Sequence, residues 1–319
     1  MRAIQITELT GPDTALALVD VPEPEPSHPL TPGAGVIVDV HAAGVSFPEV
    51  LQTRGQYQFK PDLPFVPGSE VGGIARDSGR RVAAMSMLGG FAEVAVAPEF
   101  LVFELPDELD FAQGASLVLN YHTAYFSLVL RGRLKEGETV LVHGAAGGVG
   151  TATLQVAKGL GARTIGVVSS EEKERVAREA GADEVVRADG PWKDDVKELG
   201  GADVVIDPVG GDRFTDSLRS LREEGRLVVV GFTGGSIPEV RVNRLLLNNV
   251  EVVGAGWGAY VMARPDVNRR IGAEIARLMA SGAVRPIVGE RFPLERAADA
   301  LKAIDERRAT GKVVLDVRA

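Results

Sequence analysis

A glycine-rich segment near the middle of the chain has residue types that suit phosphate binding. Residues 139–150 read Thr-Val-Leu-Val-His-Gly-Ala-Ala-Gly-Gly-Val-Gly, an apolar run that leads into glycines with A-x-G-x-x-G spacing. A side chain at the middle glycine would keep the backbone away from a pyrophosphate, and the N-terminus of the next helix offers N–H groups to it. Such turns also join strands to helices without a ligand. The residues expected to bind a dinucleotide are Gly147, Gly148, Val149 and Gly150.

The end of the following strand indicates which dinucleotide would bind. Predicted strand 164–168 is followed by Ser169, Ser170 and Lys173. An NAD site usually places Asp or Glu about 20 residues after the glycines. Two hydroxyls and an ammonium suit the 2′-phosphate of NADPH instead, so these three residues are expected to bind NADP(H). Two alternatives stay open: the serines could serve only as a helix N-cap, and the neighbouring residues 171–172, both Glu, would weaken the preference if they faced the phosphate.

The elements that must position these residues fall into two groups. The first third of the chain predicts a compact β-rich domain, because residues 22–33 are too rich in proline for a helix. Glycines such as Gly72 and Gly73 are expected to form turns there, and His28 is expected in solvent. The predicted strands are 2–7, 16–19, 36–41, 91–97 and 100–103.

From residue 138 onward, strand and helix patterns alternate, which predicts a doubly wound parallel sheet. The fold class is therefore α/β. A long helix is expected over 111–130, just before this region. The predicted strands are 139–143, 164–168, 184–187, 203–207, 226–231 and 250–253, with helices at 149–160, 171–180 and 212–222. The tail predicts helices at 267–281 and 295–308, and strands at 284–288 and 312–317.

Composition excludes several other classes of protein. The 319 residues include 44 Asp and Glu against 35 Lys and Arg, so the net charge of −9 argues against nucleic-acid and membrane partners. Cysteine is absent and there are four histidines, so no metal site is expected. The N-terminus has no apolar signal region and no apolar run of membrane-spanning length occurs. We expect a cytoplasmic protein.

The motifs together resemble the medium-chain dehydrogenase/reductase superfamily, in particular its zinc-independent quinone oxidoreductases, the zeta-crystallin-like group. The resemblance implies a GroES-like substrate domain over 1–120, completed by 284–319, and a Rossmann NADP-binding domain over 121–283. It also implies a homodimer joined through the strand around 250–256. The segments that carry it are 43–46, 52–57, 64–70, 142–150, 207–211 and 311–315.

The resemblance also implies roles for individual residues. Tyr57 matches a family tyrosine near the nicotinamide, where it would either act on the acceptor oxygen or only position the cofactor. Ser46 and Ser69 stand where zinc-dependent relatives have Cys and His, so no metal ligand set is expected. The further residues expected to contact the cofactor are Ser46, Thr123, Gly231, Phe232, Thr233, Gly254, Ala255 and Gly256.

These observations lead to one main hypothesis and two alternatives. The main hypothesis is an NADPH-dependent, zinc-independent oxidoreductase that transfers a hydride to a small-molecule quinone or activated enone. One alternative is a reductase of enoyl thioesters with the same fold. The other is a protein that binds NADPH without catalysis.

Overall fold

The computed structural model describes residues 1–318, which divide into two compact units. The first unit comprises Met1–Leu119 and the C-terminal segment that begins at Pro286, and the second comprises Asn120–Arg285. Strands and helices are numbered here along the whole chain. The strands are β1 Arg2–Ile6, β2 Leu16–Asp20, β3 Val36–Val45, β4 Glu70–Ala75, β5 Arg81–Met85, β6 Val94–Ala97, β7 Val102–Glu104, β8 Thr139–His143, β9 Arg163–Val168, β10 Glu184–Arg187, β11 Ala202–Asp207, β12 Leu221–Val229, β13 Glu251–Gly254, β14 Val288–Pro293 and β15 Lys312–Asp316.

The helices are shorter on average in the first unit than in the second. Residues Phe126–Arg131 form a π-helical segment directly after α3. Within residues 1–318, no helix combines the length and the apolar character needed to cross a membrane. The helices are α1 Phe47–Gln52, α2 Phe111–Gly114, α3 Val118–Tyr125, α4 Gly148–Gly159, α5 Glu171–Glu179, α6 Trp192–Glu198, α7 Phe214–Ser220, α8 Asn243–Asn248, α9 Trp257–Met262, α10 Pro265–Ala280 and α11 Ala297–Asp305.

The first unit is built on a mostly antiparallel sheet with the strand order β14-β15-β3-β4-β5-β7, and β6 also pairs with β3. The long strand β3 holds this sheet together, because it pairs with β4, β6 and the C-terminal strand β15. Val38 and Val40 of β3 are fully buried and pack in one core with Leu301 of α11 and Leu315 of β15. The C-terminal segment therefore completes the hydrophobic core of the N-terminal domain.

The second unit is a six-stranded parallel sheet with the strand order β10-β9-β8-β11-β12-β13. All five residues of β8 are buried, as expected for a strand that is covered on both faces. The strand order reverses between β8 and β11, and ligands of such sheets bind beyond the carboxyl ends of the strands at this point. The predicted α/β class, a β-rich sheet plus a doubly wound parallel sheet, is confirmed.

Three local predictions for the first unit are wrong. Gly72 and Gly73 lie inside β4 and not in a turn. These positions are glycine because a Cβ would come within 2.1 Å of the carbonyl oxygens of Phe111 and Asp39 respectively. The glycines allow close backbone packing. His28 is buried rather than solvated, since its ring accepts from the N–H of Leu30 and donates to the carbonyl oxygen of Ser86.

Several predicted element boundaries also differ from the structure. The helix expected over 111–130 is divided into α2, α3 and the π-helical segment, and the helix expected over 212–222 ends at Ser220 because Leu221 already pairs with Ala202 in the sheet. The strand expected over 284–288 begins at Val288 instead. The sequence did not predict α1, β4, β5, α6, α8 and α9.

Candidate dinucleotide site and its surroundings

The glycine loop joins β8 to α4 and is shaped by close backbone contacts. Gly144 has a φ of +59°, which favours glycine. A Cβ on Gly150 would lie 2.1 Å from the carbonyl oxygen of Gly144, and a Cβ on Gly148 would lie 2.6 Å from Nδ2 of Asn120. At Gly147 the nearest atom would be 3.5 Å away. Gly150 is therefore required by the packing of the backbone, and a Cβ on Gly148 would displace the amide of Asn120. A Cβ on Gly147 would meet no such obstacle.

The N-terminus of α4 opens at this loop. Gly147 is the N-cap residue with extended backbone, and α4 continues for 12 residues. The first N–H groups of a helix have no partner within it and carry partial positive charge, so they can bind an anion. The structure thus brings together all four glycine-loop residues that the sequence selected, at the carboxyl end of the central strand.

Ser169, Ser170 and Lys173 lie close together at the carboxyl end of β9. Oγ of Ser170 accepts from the backbone N–H of Lys173 at 3.3 Å and caps α5, while Nζ of Lys173 donates to Oγ of Ser169 at 3.3 Å. Ser170 is therefore the N-cap residue of α5, whereas the exposed Ser169 does not cap the helix. Glu171 and Glu172 are exposed in the first turn of α5, where carboxylates stabilise the helix dipole.

Arg187, at the end of β10, is a basic residue of this region that the sequence reasoning missed. Its Nη2 donates to the carbonyl oxygen of Ser169 and to Oδ2 of Asp189, both at 3.3 Å. Within the described part of the chain, its buried Nε has no hydrogen-bond partner. The available signal was a basic side chain at the end of the third strand, because this end lies beside the end of β9 in a parallel sheet.

The loops after β11 and β12 are fastened to each other. Oδ1 of Asp207 accepts from the N–H groups of Val209 and Gly210 at 2.8 and 2.9 Å. Thr233 donates from both its N–H and its hydroxyl to the carbonyl oxygen of Pro208, each at 3.1 Å. The expected contact residues Gly231, Phe232 and Thr233 therefore belong to a constrained loop, in which Phe232 is 37% exposed.

Three of the remaining expected residues, Gly254, Ala255 and Gly256, lie at the carboxyl end of β13. Gly254 ends β13, and the N–H of Ala255 donates to the carbonyl oxygen of Val229 at 2.9 Å. Gly254 and Gly256 are exposed, and a Cβ on either of them would meet no atom within 4 Å. Thr123 is buried in α3, one turn after Asn120, whose amide lies beside Gly148.

In the first unit, the partly exposed Ser46 belongs to a polar cluster whose other members, Glu49, Ser69, Glu70 and Lys312, are buried. Nζ of Lys312 donates to Oγ of Ser46 at 2.8 Å and to Oε2 of Glu70 at 2.9 Å. Glu49 accepts from the N–H of Ser46 and from the N–H and hydroxyl of Ser69. Burial raises the pKa of both Glu49 and Glu70, while Lys312 opposes this effect.

Tyr57 lies in the loop after α1 and is partly buried. Burial and, secondarily, the Glu49 carboxylate raise the pKa of its phenol. Tyr57 therefore carries its proton at neutral pH and can donate a hydrogen bond. Ser46 and Tyr57 belong to the first unit, whereas the other expected site residues belong to the second.

The polar cluster also decides whether zinc would fit near Ser46 and Ser69. The Ser46 hydroxyl contacts an ammonium, and the Ser69 hydroxyl donates to Glu49. A catalytic zinc site requires three ligands from His, Cys, Asp or Glu, and no group of three such residues within residues 1–318 is arranged to hold a metal ion. The ammonium bound to the Ser46 hydroxyl repels a cation, and the two serines supply none of the usual zinc ligands, so the residues do not fit zinc.

Comparisons with known proteins show which family the chain belongs to. The family described as zinc-binding dehydrogenase matches residues 148–272. The chain is 37% identical to quinone oxidoreductase-like protein 2 of Bos taurus, across 99% of this chain and 93% of the relative. Among solved structures, a probable oxidoreductase from Mycobacterium abscessus has a TM-score of 0.88 at 39% identity, over 99% of each chain.

A further solved structure is the quinone oxidoreductase from Thermus thermophilus, described also in complex with NADPH. It has a TM-score of 0.87 at 34% identity, over 99% of this chain and 100% of that one. The two-unit fold and the glycine loop define an oxidoreductase of the medium-chain dehydrogenase/reductase superfamily. The chain belongs to the zinc-independent quinone oxidoreductase-like group of that superfamily.

Proposed function

We propose that the protein is an NADPH-dependent reductase of quinones or activated enones. The observation that carries this proposal is the basic group at the carboxyl ends of β9 and β10, where Ser169, Lys173 and Arg187 lie together. NAD sites usually have a carboxylate at the end of the second strand. Here that position is occupied by hydroxyl and cationic groups, which favour the extra phosphate of NADPH.

The residues at the carboxyl ends of the parallel strands suit the rest of the dinucleotide. The N-terminus of α4 and the open surface at Gly147 fit a pyrophosphate. The expected residues after β12 and β13, together with Thr123, would hold the nicotinamide half. When bound, NADPH supplies the hydride, while the protein orients the reactants and excludes water.

Because no zinc fits, an acceptor that needs little Lewis-acid assistance is favoured, which is the case for quinones and activated enones. Positioning of the reacting atoms at about 3–3.5 Å can supply much of the rate enhancement. Tyr57, whose pKa is raised, donates its proton to the acceptor oxygen in this proposal. Solvent then restores the phenol.

We also propose that the protein is a homodimer joined along β13. This strand is at one edge of the six-stranded sheet, so its outer hydrogen-bonding groups can pair with a second copy. The preceding helix α8 presents Leu246 and Leu247, which are 76% and 74% exposed. Light scattering should give twice the mass of the chain, and substitution of both leucines by Glu should reduce that mass.

The function is tested by absorbance at 340 nm, with NADPH and separately with NADH. The acceptors are an ortho-quinone, a para-quinone, an alkyl enone and a crotonyl thioester. Faster oxidation of NADPH with a quinone or enone supports the proposal. Turnover with the thioester alone would assign enoyl-thioester reduction instead. Binding of NADPH by fluorescence without any turnover would favour the non-catalytic binding protein.

A further inference from the structure

The ammonium of Lys312 connects a partly exposed hydroxyl to a buried carboxylate. The side chains of Lys312 and Glu70 are 3% and 0% exposed, whereas Ser46 is partly exposed. Glu70 is held from its other side, since its Oε1 accepts from the N–H of Leu119 at 2.8 Å. The ion pair is therefore fixed inside the first unit, and its remaining hydrogen bond reaches the hydroxyl at the start of α1.

The path of the lysine side chain depends on a glycine in the neighbouring strand. A Cβ on Gly44 of β3 would lie 2.2 Å from the carbonyl oxygen of Ala115, 2.6 Å from Cε of Lys312 and 3.1 Å from its Nζ. A larger residue at position 44 would therefore clash with this backbone and with the end of the lysine side chain, which passes close to β3. The contact between Lys312 and Ser46 is thus built into the packing of β3 and β15.

This contact determines the direction of the Ser46 hydroxyl hydrogen. An ammonium has three donors and no acceptor. The oxygen of Ser46 must therefore accept from Lys312, and its own hydrogen must point to a different acceptor. Since Ser46 is partly exposed, that acceptor can belong to a ligand.

We propose that Lys312 is a positioning residue, which fixes Ser46 as a hydrogen-bond donor to the carbonyl oxygen of the electron acceptor. This inference rests on the proposed reductase function. Hydride transfer forms a new bond between the hydride and the acceptor and moves an electron pair onto that oxygen, while NADPH is oxidised to NADP⁺. Ser46 stabilises the developing negative charge, and the oxygen then takes its proton from Tyr57.

The test is a mutant cycle between Ser46→Ala and the paired substitution Lys312→Met/Glu70→Gln, which removes both buried charges together. Single-turnover oxidation of NADPH by a para-quinone is followed at 340 nm. We expect each change to slow hydride transfer on the order of 100-fold, as for loss of one donor to a developing oxyanion. Combining them should give no further loss, because Lys312 acts through Ser46.

Two controls separate positioning from structural damage. Ser46→Thr keeps the hydroxyl and should keep the rate within about threefold, and all rates are measured at saturating NADPH so that they report hydride transfer. Arg226→Met/Glu138→Gln removes a buried ion pair of the second unit, where the side chains are 9% and 18% exposed, and should leave the rate unchanged. Thermal unfolding is measured for every variant.

If the paired substitution does not fold, Glu70→Gln alone tests the same relation. Glu70→Gln removes the carboxylate that holds the Lys312 ammonium, while Ser46 keeps its hydroxyl. The rate should therefore fall in this variant, and adding Ser46→Ala should give no loss beyond that of Ser46→Ala alone.

Several results would overturn the inference while leaving the reductase function intact. These are independent, multiplicative losses in the mutant cycle, a Glu70→Gln rate identical to that of wild type, or a Ser46→Ala effect confined to the Kd for NADPH. A wild-type protein that turns over no acceptor rejects the proposed function itself, and the inference with it.

Discussion

Nζ of Lys173 lies 3.3 Å from Oγ of Ser169, so an ammonium from the first turn of α5 meets the hydroxyl that follows β9. The backbone N–H of the same lysine donates to the capping residue Ser170. The start of α5 therefore places a positive charge beside the end of the second strand. A ribose phosphate bound there would contact both the charge and the hydroxyl.

The first prediction concerns this ammonium. Lys173→Glu should weaken NADPH binding by roughly 100-fold and NADH binding far less, because charged hydrogen bonds contribute about 1.5–3 kcal/mol each. Fluorescence titration with each cofactor measures the two Kd values. Arg175→Glu makes the same charge change at an exposed position of α5 and serves as the control. Equal losses for NADPH and NADH would contradict a phosphate contact.

The second prediction concerns Arg187, whose buried Nε has no partner among the described residues. A bound phosphate can supply one, so Arg187→Ala should weaken the binding of 2′,5′-ADP by about 10- to 100-fold. Calorimetry with 2′,5′-ADP and with 5′-AMP distinguishes this effect from a general loss of nucleotide binding. The control is Arg175→Ala. An unchanged affinity for 2′,5′-ADP would show that Arg187 serves only to join β9 and β10.

The third prediction separates two glycines of the same loop. Gly147→Ala has room for its Cβ and should leave the free energy of unfolding within about 1 kcal/mol of wild type, while binding of both NADPH and NADH weakens. Gly150→Ala would place its Cβ 2.1 Å from the Gly144 carbonyl oxygen and should destabilise the second unit itself. Urea unfolding and cofactor titration of both variants check this difference. Normal NADPH affinity in Gly147→Ala would remove this loop from the pyrophosphate site.

The parallel sheet and the glycine loop of the second unit could be predicted from the sequence because their signals are local. Strands buried on both faces give continuous apolar runs, such as Val204-Val205-Ile206 in β11, and the glycine loop directly joins its strand to its helix. The order of these elements along the chain then implies the parallel sheet. Arg187 escaped this reasoning because a single basic residue at a strand end has no distinguishing neighbours.

The first unit could be predicted only in outline because its determinants are distant in sequence. Gly72 is required by the carbonyl oxygen of Phe111, which no local pattern reveals. Lys312 and Glu70 are 242 positions apart, and each resembles an ordinary surface charge until β15 and β3 are paired. Close backbone approaches and buried ion pairs of this kind follow from tertiary packing and not from composition or periodicity.

The last prediction concerns two buried histidines of the second unit. His122 pairs with Oδ1 of Asn268 at 2.9 Å, and His143 pairs with Oγ of Ser217 at 2.8 Å. Burial lowers the pKa of each ring to about 4, from an ordinary value of 6.5. Between these pH values the unfolded chain binds protons that the folded protein excludes. The contribution of the two neutral histidines to the free energy of unfolding is therefore fully present above pH 6.5 and is lost as the pH decreases toward 4.

Each histidine should therefore lower the free energy of unfolding by about 1–3 kcal/mol between pH 7 and pH 4. Urea unfolding at several pH values measures this slope for wild type, His122→Gln and His143→Gln. Each variant should lose part of the dependence, because glutamine does not titrate, whereas His41→Gln changes a partly exposed ring and should lose less. A slope equal to that of wild type in both buried variants would show that other groups cause the acid sensitivity.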